Sequence, residues 1–301
     1  MKIKALAPWF GAKRTLAPAI VTELGKHTQY FEPFCGSMAV LMAKEPSQKE
    51  TVNDLHGDLI NLARVIAHKR MGPILYDMLG RSIMSDAAYQ DAQAVLDRGD
   101  PNELVKQECK IARAYWYFLA SWMGRNGRAG TRRIDYQIAV RWTNSGGSPT
   151  VRFRNAVDSL PAWHIRLKNV VILSRDAFRI LDRFEDSPKT AIYIDPPYYS
   201  GSRTGMKAGK SASSEYLHEF SHAETLLEAN DHKRLVDVLN SYKKARIVVS
   251  YYDCPEIRKL YAGWTFIEHT MNKQLHGQAG RGARKKKAPE LLIVNGPSFG
   301  R

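Results

Sequence analysis

The stretch AIYIDPPYYS, residues 191–200, runs from a short apolar segment straight into Asp195-Pro196-Pro197-Tyr198. Each proline fixes its φ angle and lacks an N–H, so the turn is stiff and its carbonyls meet few competing donors. The Asp195 carboxylate and the Pro196 carbonyl are both acceptors. Two acceptors held side by side match the two hydrogens of an exocyclic amine, and Tyr198 offers a flat face on which the ring bearing it can stack. Such an array suits adenine N6 or cytosine N4, because hydrogen bonds to both N–H groups localise the nitrogen lone pair for attack on an electrophile. A lone Asp-Pro or Pro-Pro is commonly just a capped turn. The whole tetrad after an apolar strand is harder to explain that way.

The elements around it must place that turn at a ligand-binding edge. NVVILS (Asn169 to Ser174), AIYI (Ala191 to Ile194) and ARIVVSYY (Ala245 to Tyr252) are apolar runs of the buried-strand type. Leu235, Val238, Leu239 and Tyr242 follow helical spacing between the last two, and WTFIEHTM and PELLIVNG read as a closing pair of strands. Near the N-terminus, Leu16, Ile20, Val21 and Leu24 form one helical face; YFEPF (Tyr30 to Phe34) and TVNDL (Thr51 to Leu55) read as short strands, each followed by a helix. Strands alternating with helices predict an α/β fold with a largely parallel sheet covered on both faces, and ligands bind such sheets at the carboxyl ends of the strands. Residues 61–160 change character. Long helical patterns such as KQECKIARAYWYFLASWM precede a polar, basic stretch, GRNGRAGTRR, so this region reads as an insertion.

Charge points to the partner. Among 301 residues, 45 Lys+Arg against 30 Asp+Glu leave +15, with a cluster at RGARKKK (Arg281 to Lys287). An excess of that size favours a polyanion, above all nucleic acid, through counterion release. Cys35, Cys109 and Cys254 lie far apart without metal-type spacing, which argues for a reducing compartment. No apolar run is long enough to span a bilayer and the start lacks a signal-peptide core, so the expected location is cytoplasmic.

Several motifs, in order, resemble the Dam family (D12 class, alpha group) of DNA N6-adenine methyltransferases, which use S-adenosyl-L-methionine. PWFGAKR is similar to the family's Trp-x-Gly-x-Lys opening, FEPFCGSMAV to its glycine-bearing cofactor loop and NDLHGDLI to its acidic stretch. IYIDPPY is similar to its methylation motif, and GARKKKAPELLIV to the basic segment before its final strand. The resemblance implies a Rossmann-like methyltransferase sheet from residues 1–60 and 161–301, with a mainly helical target-recognition domain inserted at 61–160. It implies cofactor contacts from Trp9, Lys13, Phe34, Gly36, Asp54, Asp176 and Asp195, with Asp54 accepting from the ribose hydroxyls. Catalysis falls to Asp195, Pro196, Pro197 and Tyr198, acting on an adenine flipped out of double-stranded DNA. No metal, membrane or obligatory protein partner is implied, and the setting is a bacterial cell, whether the gene is the host's, a phage's or another mobile element's.

For DNA, Arg125, Asn126, Arg128, Arg132 and Arg133 are candidates for base readout, since arginine pairs with guanine and asparagine with adenine; Lys285 and Lys286 are candidates for phosphate contact. The chain departs from the GATC-specific pattern with Pro8 before the tryptophan and Met38 in place of the loop's last glycine. The resemblance therefore carries the reaction and not the target sequence. HEFSH (His218 to His222) imitates a zinc-protease motif, but its glycine- and serine-rich flank fits a loop, and GMKAGKS is one residue short of a phosphate loop. Cytosine-N4 methylation and a non-catalytic DNA-binding regulator on the same scaffold are the rival readings.

Overall fold

The computed structural model describes residues 4–9, 13–98, 106–124, 138–140, 147–198, 230–272 and 287–300. Seven strands form one mixed sheet: β1 (Gln29–Glu32), β2 (Lys49–Asn53), β3 (Val171–Leu173), β4 (Thr190–Ile194), β5 (Arg246–Tyr252), β6 (Thr265–Asn272) and β7 (Lys287–Val294). Their order is β3-β2-β1-β4-β5-β7-β6. The chain divides into two compact units. One comprises Met1–Ala17, Cys35–Pro46 and Glu50–Asp176; the other comprises Pro18–Phe34, Ser47–Lys49 and Ala177–Arg301.

In the second unit β1, β4 and β5 run parallel, with Phe31 opposite Ile192 and Ile192 opposite Ile247. β7 runs antiparallel to both β5 and β6. Every residue of β4 is buried, as are the five central residues of β5. Period two sorts them: Ile192, Ile194, Ile247, Val249, Tyr251, Leu291 and Ile293 share one core cluster, while Ala191, Tyr193, Val248, Ser250, Leu292 and Val294 are buried on the alternate positions. Burial on both faces is why these strands read as continuous apolar runs rather than alternating ones. The helix predicted around Leu235 is observed at Asp231–Ser241, begun by Asn230, whose side chain accepts from the Lys233 N–H. Leu235, Val236 and Leu239 enter the core cluster, whereas Val238 packs at its margin and Tyr242 lies just past the helix end. The chain's last residues are clamped here. Glu23 accepts from Ser298 Oγ and from the N–H groups of Phe299 and Gly300, and the Arg246 guanidinium lies 4.0 Å from the Phe299 ring centroid.

The first unit is mainly helical. Its helices are α2 (Ala39–Ala43), α3 (Gly57–Ala67), α4 (Met71–Gly80), α5 (Asp86–Leu96), α6 (Gln107–Met123), α7 (Pro149–Val157) and α8 (Leu160–Leu167), with α1 (Ala17–Leu24) passing into the second unit. Its strands pair in parallel, Val52 opposite Ile172. α6 is the KQECKIARAYWYFLASWM pattern, and it places Phe118 and Trp122 in an aromatic cluster with Phe153 and Trp163. Two buried ionic sets tie the unit together. Glu50 holds Lys44 at 2.6 Å and Arg166 at 2.5 Å, and Asp58 holds Arg113, which also donates to the carbonyls of Val95 and Leu96 at the end of α5. Among the described residues no helix is long and apolar enough to cross a membrane.

Candidate active site

In the first unit, the loop between β1 and α2 is built around a glycine. Gly36 has φ +43°, and a Cβ there would fall 2.9 Å from Trp9 Nε1, so both backbone conformation and the indole above it exclude a side chain. Trp9 is held over the loop by the segment before it. The Leu6 N–H donates to the Ser37 carbonyl at 3.0 Å, and the Leu6 carbonyl accepts from Trp122 Nε1 at 3.1 Å. Met38 closes the loop with φ 59° and ψ 32°, a left-handed conformation that glycine adopts freely and methionine rarely does. The glycine of the loop motif it resembles is absent at this position, but the backbone geometry that calls for glycine remains.

Asp54 ties this loop to the next helix. Its Oδ2 accepts from the Gly36 N–H at 2.8 Å and its Oδ1 from the His56 N–H at 2.9 Å. A carboxylate has about four lone-pair sites, so acceptor capacity remains for a diol. Asn53, the last residue of β2, makes a two-way bridge to the segment after β3. It donates to the Arg175 carbonyl at 2.8 Å and accepts the Arg175 N–H at 2.9 Å, fixing the backbone next to exposed Asp176. Lys13 is buried, 6% exposed, and its carbonyl accepts the Ala17 N–H. Trp9, Lys13, Gly36, Asp54 and Asp176 all belong to this unit.

His56 carried no signal as a site residue in the sequence. Its Nδ1 accepts from the Leu59 N–H and so caps α3, and its ring meets Trp9 edge-on at 5.3 Å and Tyr117 at 5.5 Å. A histidine at the start of a helix, just after the acidic residue, was the only available hint.

In the second unit, Asp195 directly follows the carboxyl end of β4, where a ligand-binding residue of a parallel sheet is expected. Asp195 and Pro197 are half-buried and Pro196 is buried. Phe34, two residues beyond the parallel neighbour β1, packs at the margin of this unit's core. Tyr198 is only 4% exposed. Its hydroxyl donates to Glu290 Oε1 at 2.6 Å, and its ring meets Tyr252 edge-on at 4.7 Å. Burial, then the charges of Asp195 and Glu290, hold its hydroxyl well above the usual tyrosine range, so it stays a proton donor at neutral pH. Tyr193, donor or acceptor to Ser250 Oγ at 2.7 Å, is pushed up in the same way by burial and then by Asp195, with smaller contributions from Glu290 and Glu32. The turn thus sits in a locally negative field within a strongly basic protein. Neither Glu290 nor Tyr252 was singled out by sequence.

Among the described residues no group of three or more His, Cys, Asp or Glu side chains could hold a metal ion. Arg125, Asn126, Arg128, Arg132, Arg133, Lys285, Lys286, HEFSH and GMKAGKS lie outside the described residues.

Two comparisons bear on this geometry. Residues 9–124 match the D12 class N6 adenine-specific DNA methyltransferase family, a span that includes Trp9, Gly36 and Asp54 but ends before the Asp195 turn. The chain is also 26% identical over 314 aligned positions to the Retron Ec67 DNA adenine methylase of Escherichia coli, covering 98% of this chain and 92% of that protein. The D12 class N6 adenine-specific DNA methyltransferases are thus the family this chain matches, through residues 9–124, and they are the family its motifs indicate.

Proposed function

We propose that the protein methylates adenine N6 in double-stranded DNA at specific sites, using S-adenosyl-L-methionine. One observation carries this: Asp195-Pro196-Pro197-Tyr198 stands at the carboxyl end of a fully buried parallel strand, in a chain matched to the adenine-specific family. The Asp195 carboxylate and the Pro196 carbonyl accept the two N6 hydrogens and turn the nitrogen lone pair outward. The rigid turn keeps those acceptors from reorganising, so the contribution is orientation and electrostatic stabilisation. Asp195 favours the positive charge that grows on the amine as the new C–N bond forms, and the surplus N6 proton passes afterwards to water. Tyr198 supports the base ring, and Tyr252 meets the Tyr198 ring edge-on. The base must leave the helix to reach this turn.

When bound, S-adenosyl-L-methionine supplies the methyl group as an activated sulfonium carbon, open to direct in-line attack, and the transfer needs no metal to activate it. The first unit's residues fit that molecule. Asp54 keeps acceptor capacity for the ribose diol and Gly36 leaves the loop backbone bare; Trp9 and Lys13 would flank the cofactor and Asp176 would serve its adenine, while Phe34, the second-unit residue just before the loop in sequence, would shape the loop's start. Residues 1–60 and 161–301 form the catalytic domain in this proposal, and 61–160 the target-recognition domain. Within it Arg125, Asn126, Arg128, Arg132 and Arg133 read the site, while Lys285 and Lys286 hold phosphates. The test is transfer of a labelled methyl group to DNA, followed by mass spectrometry of the nucleosides. N6-methyladenine from the wild type and none from Asp195→Ala supports the proposal. N4-methylcytosine would move it to the other amine, and equal label from both proteins would remove the catalytic role.

A further inference from the structure

Glu290 is out of character for its strand. Leu291, Leu292, Ile293 and Val294 are fully buried, and a hydrophobic residue before them would pack at no electrostatic cost; Glu290 is only 8% exposed. Burying a carboxylate is unfavourable relative to an apolar side chain unless it is well bonded. Its partners include the Tyr198 hydroxyl at 2.6 Å, from 92 residues away in sequence. Register also sets Glu290 opposite Tyr252 on β5, the residue whose ring meets Tyr198 at 81°. The Tyr198 ring is thereby held at its root by the proline turn, at its tip by Glu290 and on its flank by Tyr252. A bond from a hydroxyl to a carboxylate is short, and a phenolic O–H prefers to lie in the ring plane, so the bond orients the ring as well as fixing its depth.

We propose that Glu290 is a positioning residue for methyl transfer: by accepting the Tyr198 hydroxyl it sets the plane on which the target base rests. The inference depends on the proposed role of Tyr198 toward the base. Single-turnover and steady-state rates would be measured for Glu290→Ala, Glu290→Gln, Tyr198→Phe, Tyr198→Ala and the pair Tyr198→Phe/Glu290→Leu. Binding would be followed by fluorescence of 2-aminopurine placed at the target adenine of a duplex that the wild type methylates. Glu290→Gln keeps a neutral acceptor and should retain kcat within about threefold. Glu290→Ala and Tyr198→Phe should each lower kcat by about 10- to 100-fold and weaken the fluorescence rise, without additivity and without a change in cofactor affinity.

The apolar pair separates positioning from stability. Replacing both leaves neither one facing an unmet group of the other, so this variant should melt above Glu290→Ala yet stay as slow as Tyr198→Phe. Wild-type kcat in Glu290→Ala, or recovery of kcat in the pair, would overturn the inference. Wild-type transfer by Tyr198→Ala would instead remove the stacking role beneath it, and the inference with it.

Discussion

Asp54→Asn tests whether one carboxylate both builds the loop and serves the cofactor. In the wild type Oδ2 takes the Gly36 N–H at 2.8 Å and Oδ1 takes the His56 N–H at 2.9 Å. An asparagine keeps one oxygen, and its NH2 group then confronts the other N–H, donor against donor. A hydrogen bond to a charged group contributes roughly 1.5–3 kcal/mol, and partial exposure of Asp54 puts the loss near the lower end, about 2 kcal/mol. For a protein of this size that corresponds to a fall in Tm of about 3 °C. If Asp54 also accepts from the ribose diol, affinity for S-adenosyl-homocysteine, the demethylated product, should fall by about tenfold or more. Differential scanning fluorimetry without ligand and isothermal titration calorimetry with it read the two effects independently. An unchanged Tm would refute the reasoning about the loop. A lowered Tm with unchanged ligand affinity would reduce Asp54 to a structural tie.

Other expectations concern the first unit. Glu50→Gln leaves Lys44 and Arg166 buried without their carboxylate and should cost about 3–5 kcal/mol, read by urea unfolding. The same glutamate gives an acid dependence. Burial pushes its pKa up, but hydrogen bonds from Arg166 and Lys44, together with their charges, outweigh that and hold it below its ordinary 4.5. Its stabilisation should therefore be complete above about pH 4.5 and lost as pH falls further, and Glu50→Gln should flatten that acid slope. At Met38, with φ 59°, both Met38→Gly and Met38→Ala lose a buried side chain, but only alanine keeps the left-handed strain. Glycine should be at least as stable as alanine there, the reverse of the usual order, in thermal melts.

The central strands were legible because burial on both faces writes uninterrupted apolar runs into the chain. ARIVVSYY contains the strand Arg246–Tyr252 and AIYI grows by one residue to Thr190–Ile194, whereas NVVILS, expected as a buried strand, holds Val171–Leu173 at the sheet's edge with Val171 exposed. The Asp195 turn could be read because its chemistry lies in four consecutive residues. Glu290 could not, since a glutamate opening an apolar strand looks like an edge residue until pairing brings it to Tyr198. His56 escaped for a related reason: a capping histidine declares itself only through the N–H it accepts and the rings around it. Met38 is an intermediate case. Its departure from the glycine pattern was visible, but only the backbone shows that the substitution left the conformation intact.

The order β5-β7-β6 has a consequence for biosynthesis. Among the described residues β6 is bonded in the sheet only through β7, which follows it in the chain. A nascent chain emerging from the ribosome can therefore settle β1, β4 and β5 early, but it must hold β6 unpaired until β7 arrives to slide between. A chain stalled before β7 would therefore present two adhesive edges, on β5 and on β6, to its neighbours.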